Sequence, residues 1–89
     1  MLRITKIEED GSPVTLKLEG KVRDQWVWLL ESECRALLRH KKTVLLDFTG
    51  VDYMDEHGAE MVRSLPLGHV KVMNPPSFIQ GLLEPGGKP

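Results

Sequence analysis

Apolar and polar residues alternate at the start of the chain, and that alternation predicts strands. Leu2-Arg3-Ile4-Thr5-Lys6 alternates, although Ile7 falls out of step; in a second run Val14, Leu16 and Leu18 share one face and Thr15, Lys17 and Glu19 the other. Between them Asp10-Gly11-Ser12-Pro13 is a turn signal, so the two runs predict an antiparallel hairpin with one face on the core and one in water. Gly20 is expected to end the second strand. From about residue 24 to residue 40 the period becomes helical: Val27, Leu30, Cys34, Leu37 and Leu38 form one stripe, opposite Glu31, Ser32, Arg35 and Arg39. Asp24 is placed to cap this helix. Trp26 lies near the edge of the stripe and Trp28 on the polar side, so one of the two tryptophans is expected at the surface.

Thr43-Val44-Leu45-Leu46-Asp47-Phe48 is almost continuously apolar, which predicts a central strand covered on both faces. The run is expected to break at Thr49-Gly50 and to restart as a helix behind Asp55, with Ala59, Val62 and Leu65 inward, ending near Pro66 and Gly68. Val70-Lys71-Val72-Met73 reads as a strand. Asn74-Pro75-Pro76-Ser77 opens a last helix in which Phe78, Leu82 and Leu83 are expected to pack inward, somewhat weakened by Gly81. Residues 85–89 predict a flexible tail behind a single domain of residues 1–84. The fold class expected is α/β: a small mixed four-stranded sheet, an antiparallel amino-terminal hairpin followed by parallel strand-helix-strand units, with three helices. Two loops then lie at one end of the sheet, where such folds place function.

Composition adds bounds. At 89 residues the chain makes one small domain that buries about 60% of its unfolded surface. Its 40% hydrophobic and 28% charged residues and formal net charge of -1 are those of an ordinary globular protein, with no nucleic-acid footprint. The basic cluster Arg39-His40-Lys41-Lys42 sits where a helix should end; favourable interaction with the helix dipole is the preferred reading over a phosphate-binding patch. The lone Cys34 forms no intramolecular disulfide, and no apolar run approaches the ~20 residues of a membrane span. A cytoplasmic location without direct membrane insertion is expected.

The stretch Leu45-Leu46-Asp47-Phe48-Thr49-Gly50-Val51-Asp52-Tyr53-Met54-Asp55-Glu56-His57-Gly58 resembles the signature of the STAS domain family (sulfate transporter and anti-sigma-factor antagonist). That signature is a strand reading apolar-apolar-Asp-apolar-x-Gly-Val, then apolar-Asp-Ser-Ser/Thr-Gly and a helix. Leu18-Glu19-Gly20-Lys21-Val22 and Asn74-Pro75-Pro76 are similar to two further family segments, so the resemblance spans most of residues 14–84. Three departures stand out. Glu56 and His57 replace the two hydroxyl residues, Arg23 replaces a common aspartate, and the stretch between Gly58 and Val70 is short, which predicts a stunted second helix. The resemblance implies a binding module without catalytic residues or cofactor. Its partner would be an anti-sigma factor or histidine-kinase-like ATPase that phosphorylates relatives at the position of Glu56. A small accessory subunit of a transporter ATPase and a ligand-sensing domain using Gly20, Thr49-Gly50 and Asn74 are the alternatives.

The site has a structural and a functional reading. Asp55 can cap the second helix, and Glu56 in its first turn gains from the dipole, so both carboxylates can be fold-makers. Functionally, Glu56 is one fixed negative charge where relatives add a phosphate of about -1.5 to -2. From Val51 to Val62 the one hydroxyl belongs to Tyr53, which predicts binding independent of phosphorylation; Thr49 is the nearest alternative acceptor. The expected contact residues are Asp55, Glu56, His57, Gly58, Met61, Thr49, Gly50 and Trp28, with core burial the competing fate of Met54 and Met61. A catalytic or metal cluster of Asp47, Asp55, Glu56 and His57 is disfavoured, because consecutive helical residues splay about 100° apart. His40 and His69 show no ligand spacing, and Cys34 on the apolar stripe reads as an inert thiol. Neither metal nor enzyme activity is expected.

Overall fold

The computed structural model describes residues 1–8, 12–66 and 68–84. Along the chain run β1 (Leu2–Glu8), β2 (Val14–Val22), α1 (Gln25–Arg39), β3 (Val44–Met54), α2 (Glu56–Arg63), β4 (Val70–Met73) and α3 (Ser77–Leu83). Asp10 and Gly11 of the expected turn and the expected tail 85–89 lie outside the described residues.

The sheet order is β1-β2-β3-β4, with β1 antiparallel to β2 and the remaining pairs parallel. Both crossovers therefore step the same way along the sheet, and right-handed connections put their helices on one face. Val14, Leu16 and Leu18 of β2 and Val44, Leu46 and Phe48 of β3 are fully buried there. They join Leu30, Cys34 and Leu37 of α1, Ala59, Met61 and Val62 of α2, and Ile79 of α3 in one core.

Four expectations are corrected. The central strand is covered on one face: Leu45 and Asp47, facing away from the helices, are half-buried, because the same-handed crossovers leave that side of the sheet bare. Second, β2 passes through Gly20, at φ 112°, and reaches Val22. Third, β3 does not break at Thr49-Gly50. It continues to Met54 by inserting extra residues: Lys17 pairs Asp47 but Glu19 pairs Gly50, and Gly20 pairs Val51 but Lys21 pairs Tyr53. These bulges absorb the turn-forming residues while keeping the ladder. Fourth, in α3 Ile79 is inside and Phe78 is 50% exposed, because Ile79, Leu82 and Leu83 share a stripe at spacings of three and four that Phe78 misses.

Helix α1 ends in a Schellman motif: Lys42 N–H donates to Leu37 O at 3.1 Å and Lys41 N–H to Leu38 O at 2.9 Å, with Lys41 at φ 61°. The basic cluster thus does sit at the end of a helix. Helix α2 has eight residues.

Candidate functional site

Asp55 joins three elements where β3 gives way to α2. Its Oδ1 accepts from Gly58 N–H at 2.8 Å, capping α2; its Oδ2 accepts from Asp24 N–H at 3.3 Å; its own N–H donates to Val22 O at 3.1 Å. An extended residue followed by acceptor spacing of three is the ordinary amino-terminal cap, and the sequence places it correctly. Asp24 departs from expectation. It occupies the N-cap position of α1 but its side chain accepts nothing from that helix, because its backbone at φ 54° turns its N–H towards Asp55 and its carboxylate lies 3.6 Å from Arg23 Nε.

Gly58 explains why the helix can start so close to the sheet. A Cβ there would meet Val22 O at 2.9 Å and Met54 Cγ at 3.1 Å, so any side chain would push α2 off the end of β2. Gly58 and Met61 are buried, and Met54 with them, so none of the three presents a side chain to a partner.

Glu56 and His57 do reach solvent. The Glu56 carboxylate is 67% exposed and lies 3.4 Å from Arg63 Nη2, one helix length away on α2. Arg63 Nη1 donates to Leu82 O, so the guanidinium bridges the end of α3 and the start of α2. Nearby, Lys21 Nζ is 3.1 Å from Asp52 Oδ1, and the Arg23 guanidinium stands 5.8 Å over the ring of Tyr53, itself 43% exposed. The sequence reading missed the Arg23–Tyr53 pair. Its signal, Lys21 and Arg23 running alongside Asp52 and Tyr53, becomes legible only once the second bulge sets the register.

Thr49 and Gly50 do not join this cluster. They are exposed within β3, and both the N–H and the hydroxyl of Thr49 donate to Asp47 Oδ1, at 3.0 and 2.6 Å. Those two bonds, the hydroxyl first, hold the Asp47 carboxyl below its ordinary range, with smaller help from Asn74 and Lys17. Asp47 lies eight residues from Asp55 along β3, on the order of 20 Å, so the four-residue acidic cluster does not assemble. Among the described residues no three of His, Cys, Asp and Glu gather as metal ligands. Cys34 is buried, and desolvation pushes its thiol up to about 12, which makes it a poor nucleophile. Trp28, one turn into α1, is 71% exposed. Among the described residues no helix is long and apolar enough to cross a membrane.

No protein-family model and no curated protein matches the sequence. Solved structures do. The chain is similar to Mglu at 31% identity and a TM-score of 0.56, over 74% of this chain but only 18% of that much longer one. It is also similar to an uncharacterised protein from Shewanella loihica described as having a SpoIIAA-like fold, at 18% identity and a TM-score of 0.58, over 84% of this chain and 67% of that one. The fold is SpoIIAA-like, the architecture that the STAS resemblance implies.

Proposed function

We propose that this domain is a non-catalytic, STAS-type protein-interaction module of the cytoplasm that engages its partner through the exposed start of α2 without a phosphorylation switch. One observation carries the reading: Glu56 stands in solvent in the first turn of α2, at the position where the resemblance puts a phosphorylatable serine. Its carboxylate already faces Arg63, the cation that a phosphate there would meet. The negative charge is thus built into the chain, and a partner adapted to it binds without a kinase. His57 and the Arg23–Tyr53 pair extend the contact surface, and aromatic and arginine side chains are the usual anchors of such surfaces. The partner class is an anti-sigma factor or histidine-kinase-like ATPase; recovery of a transporter ATPase would reassign the partner and keep the surface.

The test begins with capture from the native cell using the full chain as bait, with the intact mass of the bait recorded. Binding of the recovered ATPase is then measured with Glu56→Arg. The expected result is unphosphorylated bait and at least about tenfold weaker binding by the variant, at an unchanged melting temperature. Phosphate on α2 or on Thr49, or binding that ignores Glu56→Arg, would overturn the reading.

A further inference from the structure

The amino-terminal ends of β3 and β4 carry a second surface that the proposed interface does not use. Leu38, Lys41, Lys42, Pro66 and His69 line a cleft of about 490 Å³ there. None of these lining residues is acidic, although the chain as a whole is slightly acidic. Cations concentrated in one concavity raise the local concentration of anions far more than the same charges spread over a surface. A cleft of this size holds a small molecule.

Lys41 supplies an independent sign. It occupies the position after the end of α1 at φ 61°, in the left-handed region where glycine is favoured and side chains other than Asn and Asp are disfavoured. The two carbonyl bonds that close the helix are made by the backbone N–H groups of Lys41 and Lys42, so the helix end needs neither side chain. A cation there gains from the dipole of α1, but nothing in the helix end calls for a side chain at a left-handed position. Lys42 has one described partner, Glu8 Oε2 at 3.7 Å, which is too long for a strong bond and leaves its other donors for a ligand.

We propose that this cleft binds a phosphate monoester carried on an apolar body. Lys41 and Lys42 take the phosphate oxygens, the His69 ring adds an N–H donor, and Leu38 and Pro66 cover the apolar part. A soluble metabolite and a lipid headgroup share this chemistry. Nucleic acid does not fit, because the cations sit in one cleft instead of along a stripe.

The experiment titrates the full chain with adenosine monophosphate, with inorganic phosphate, and with phosphatidylcholine vesicles containing phosphatidic acid. Binding by the nucleotide or by the vesicles, with a Kd of about 1 mM or tighter and weakening as salt rises, is the expected result. The nucleotide alone binding assigns a soluble ligand and the vesicles alone a headgroup; either sustains the site. Lys41→Gly is expected to weaken binding about tenfold and at the same time to raise the melting temperature by about 2–5 °C, because glycine relieves the left-handed strain. A lysine kept for structure would do the opposite. Glu8→Gln is expected to tighten binding. Failure of both nucleotide and vesicles to bind, or binding undiminished in Lys41→Gly and Lys42→Gln, overturns the site. Inorganic phosphate binding as tightly as the nucleotide overturns the role given to Leu38 and Pro66.

Discussion

At the carboxyl end of β3 the polar groups are turned inward on the protein, whereas at its amino end, among the described residues, the lysines make one long ion pair, Lys42 with Glu8 at 3.7 Å. Asp55 spends both carboxylate oxygens on backbone N–H groups from two helix starts, and Arg63 spends its guanidinium on Glu56 and a carbonyl of α3. At the other end, Lys41 and Lys42 close α1 with backbone atoms alone. The first end carries the conspicuous motif, yet most of that motif builds the fold, and what remains for a partner is its exposed edge at Glu56 and His57. The second end has no motif, and among the described residues its lysines have no ion-pair partner but Glu8. A signature in sequence and a free functional group are different things.

The comparison breaks most severely at Gly58. Gly58→Val would drive two methyl groups into Val22 O and Met54, where a bare Cβ already meets atoms at 2.9 and 3.1 Å. Overpacking of this kind costs about 3 kcal/mol, which in a domain of this length lowers the melting temperature by on the order of 15 °C. Thermal unfolding followed by circular dichroism checks this. A loss under about 1 kcal/mol would mean that α2 can slide away from β2 and that the carboxyl end is not tightly built.

Asp55→Ala ranks next. It removes the cap of α2 and the acceptor for Asp24 N–H, and Asp24 then holds its left-handed backbone without a partner. The expected loss is about 2 kcal/mol, read as a shift of the urea midpoint at constant slope. Asp55→Asn keeps one acceptor and should recover roughly half of it. Should Asp55→Ala leave stability intact while weakening partner binding, Asp55 would belong to the interface instead of the fold.

What the sequence made legible follows the same division. Local rules sufficed where one segment determines its own structure. The alternation of Val14, Leu16 and Leu18 located β2, the stripe through Leu30, Cys34 and Leu37 located α1, and Asp55 three residues before Gly58 announced its cap. Rules of that kind failed where a neighbour decides. Gly20 and Thr49-Gly50 carry every local sign of a break, and pairing between β2 and β3 overrides it by bulging. Asp24 looks like a helix cap and is diverted by Asp55, which lies 31 residues away. In α3 seven residues hold too few turns to fix the phase, so Phe78 and Ile79 exchange places. Lys41 drew notice as a charge; its backbone angle could not be read from residue types.

The smallest effect concerns Asp47, part-way along β3 between the two ends, and it asks which kind of group Thr49 is. With its folded-state value below the ordinary one, the Asp47 carboxylate contributes stability that is present above about pH 4 and lost as the pH falls through the folded value. Asp47→Asn should therefore be less stable than the parent at neutral pH, by an amount kept small by the half-exposed setting, and the two urea midpoints should converge as the pH falls below about 4. Convergence means that the Thr49 hydroxyl is committed to Asp47, as Asp55 is committed to its helices, and is a poor acceptor for a kinase. If the midpoints differ by the same amount at every pH, the 2.6 Å bond contributes nothing that depends on the ionised carboxylate. Thr49 would then be less firmly committed to Asp47, and the intact mass of the captured protein would be the check on whether it carries phosphate.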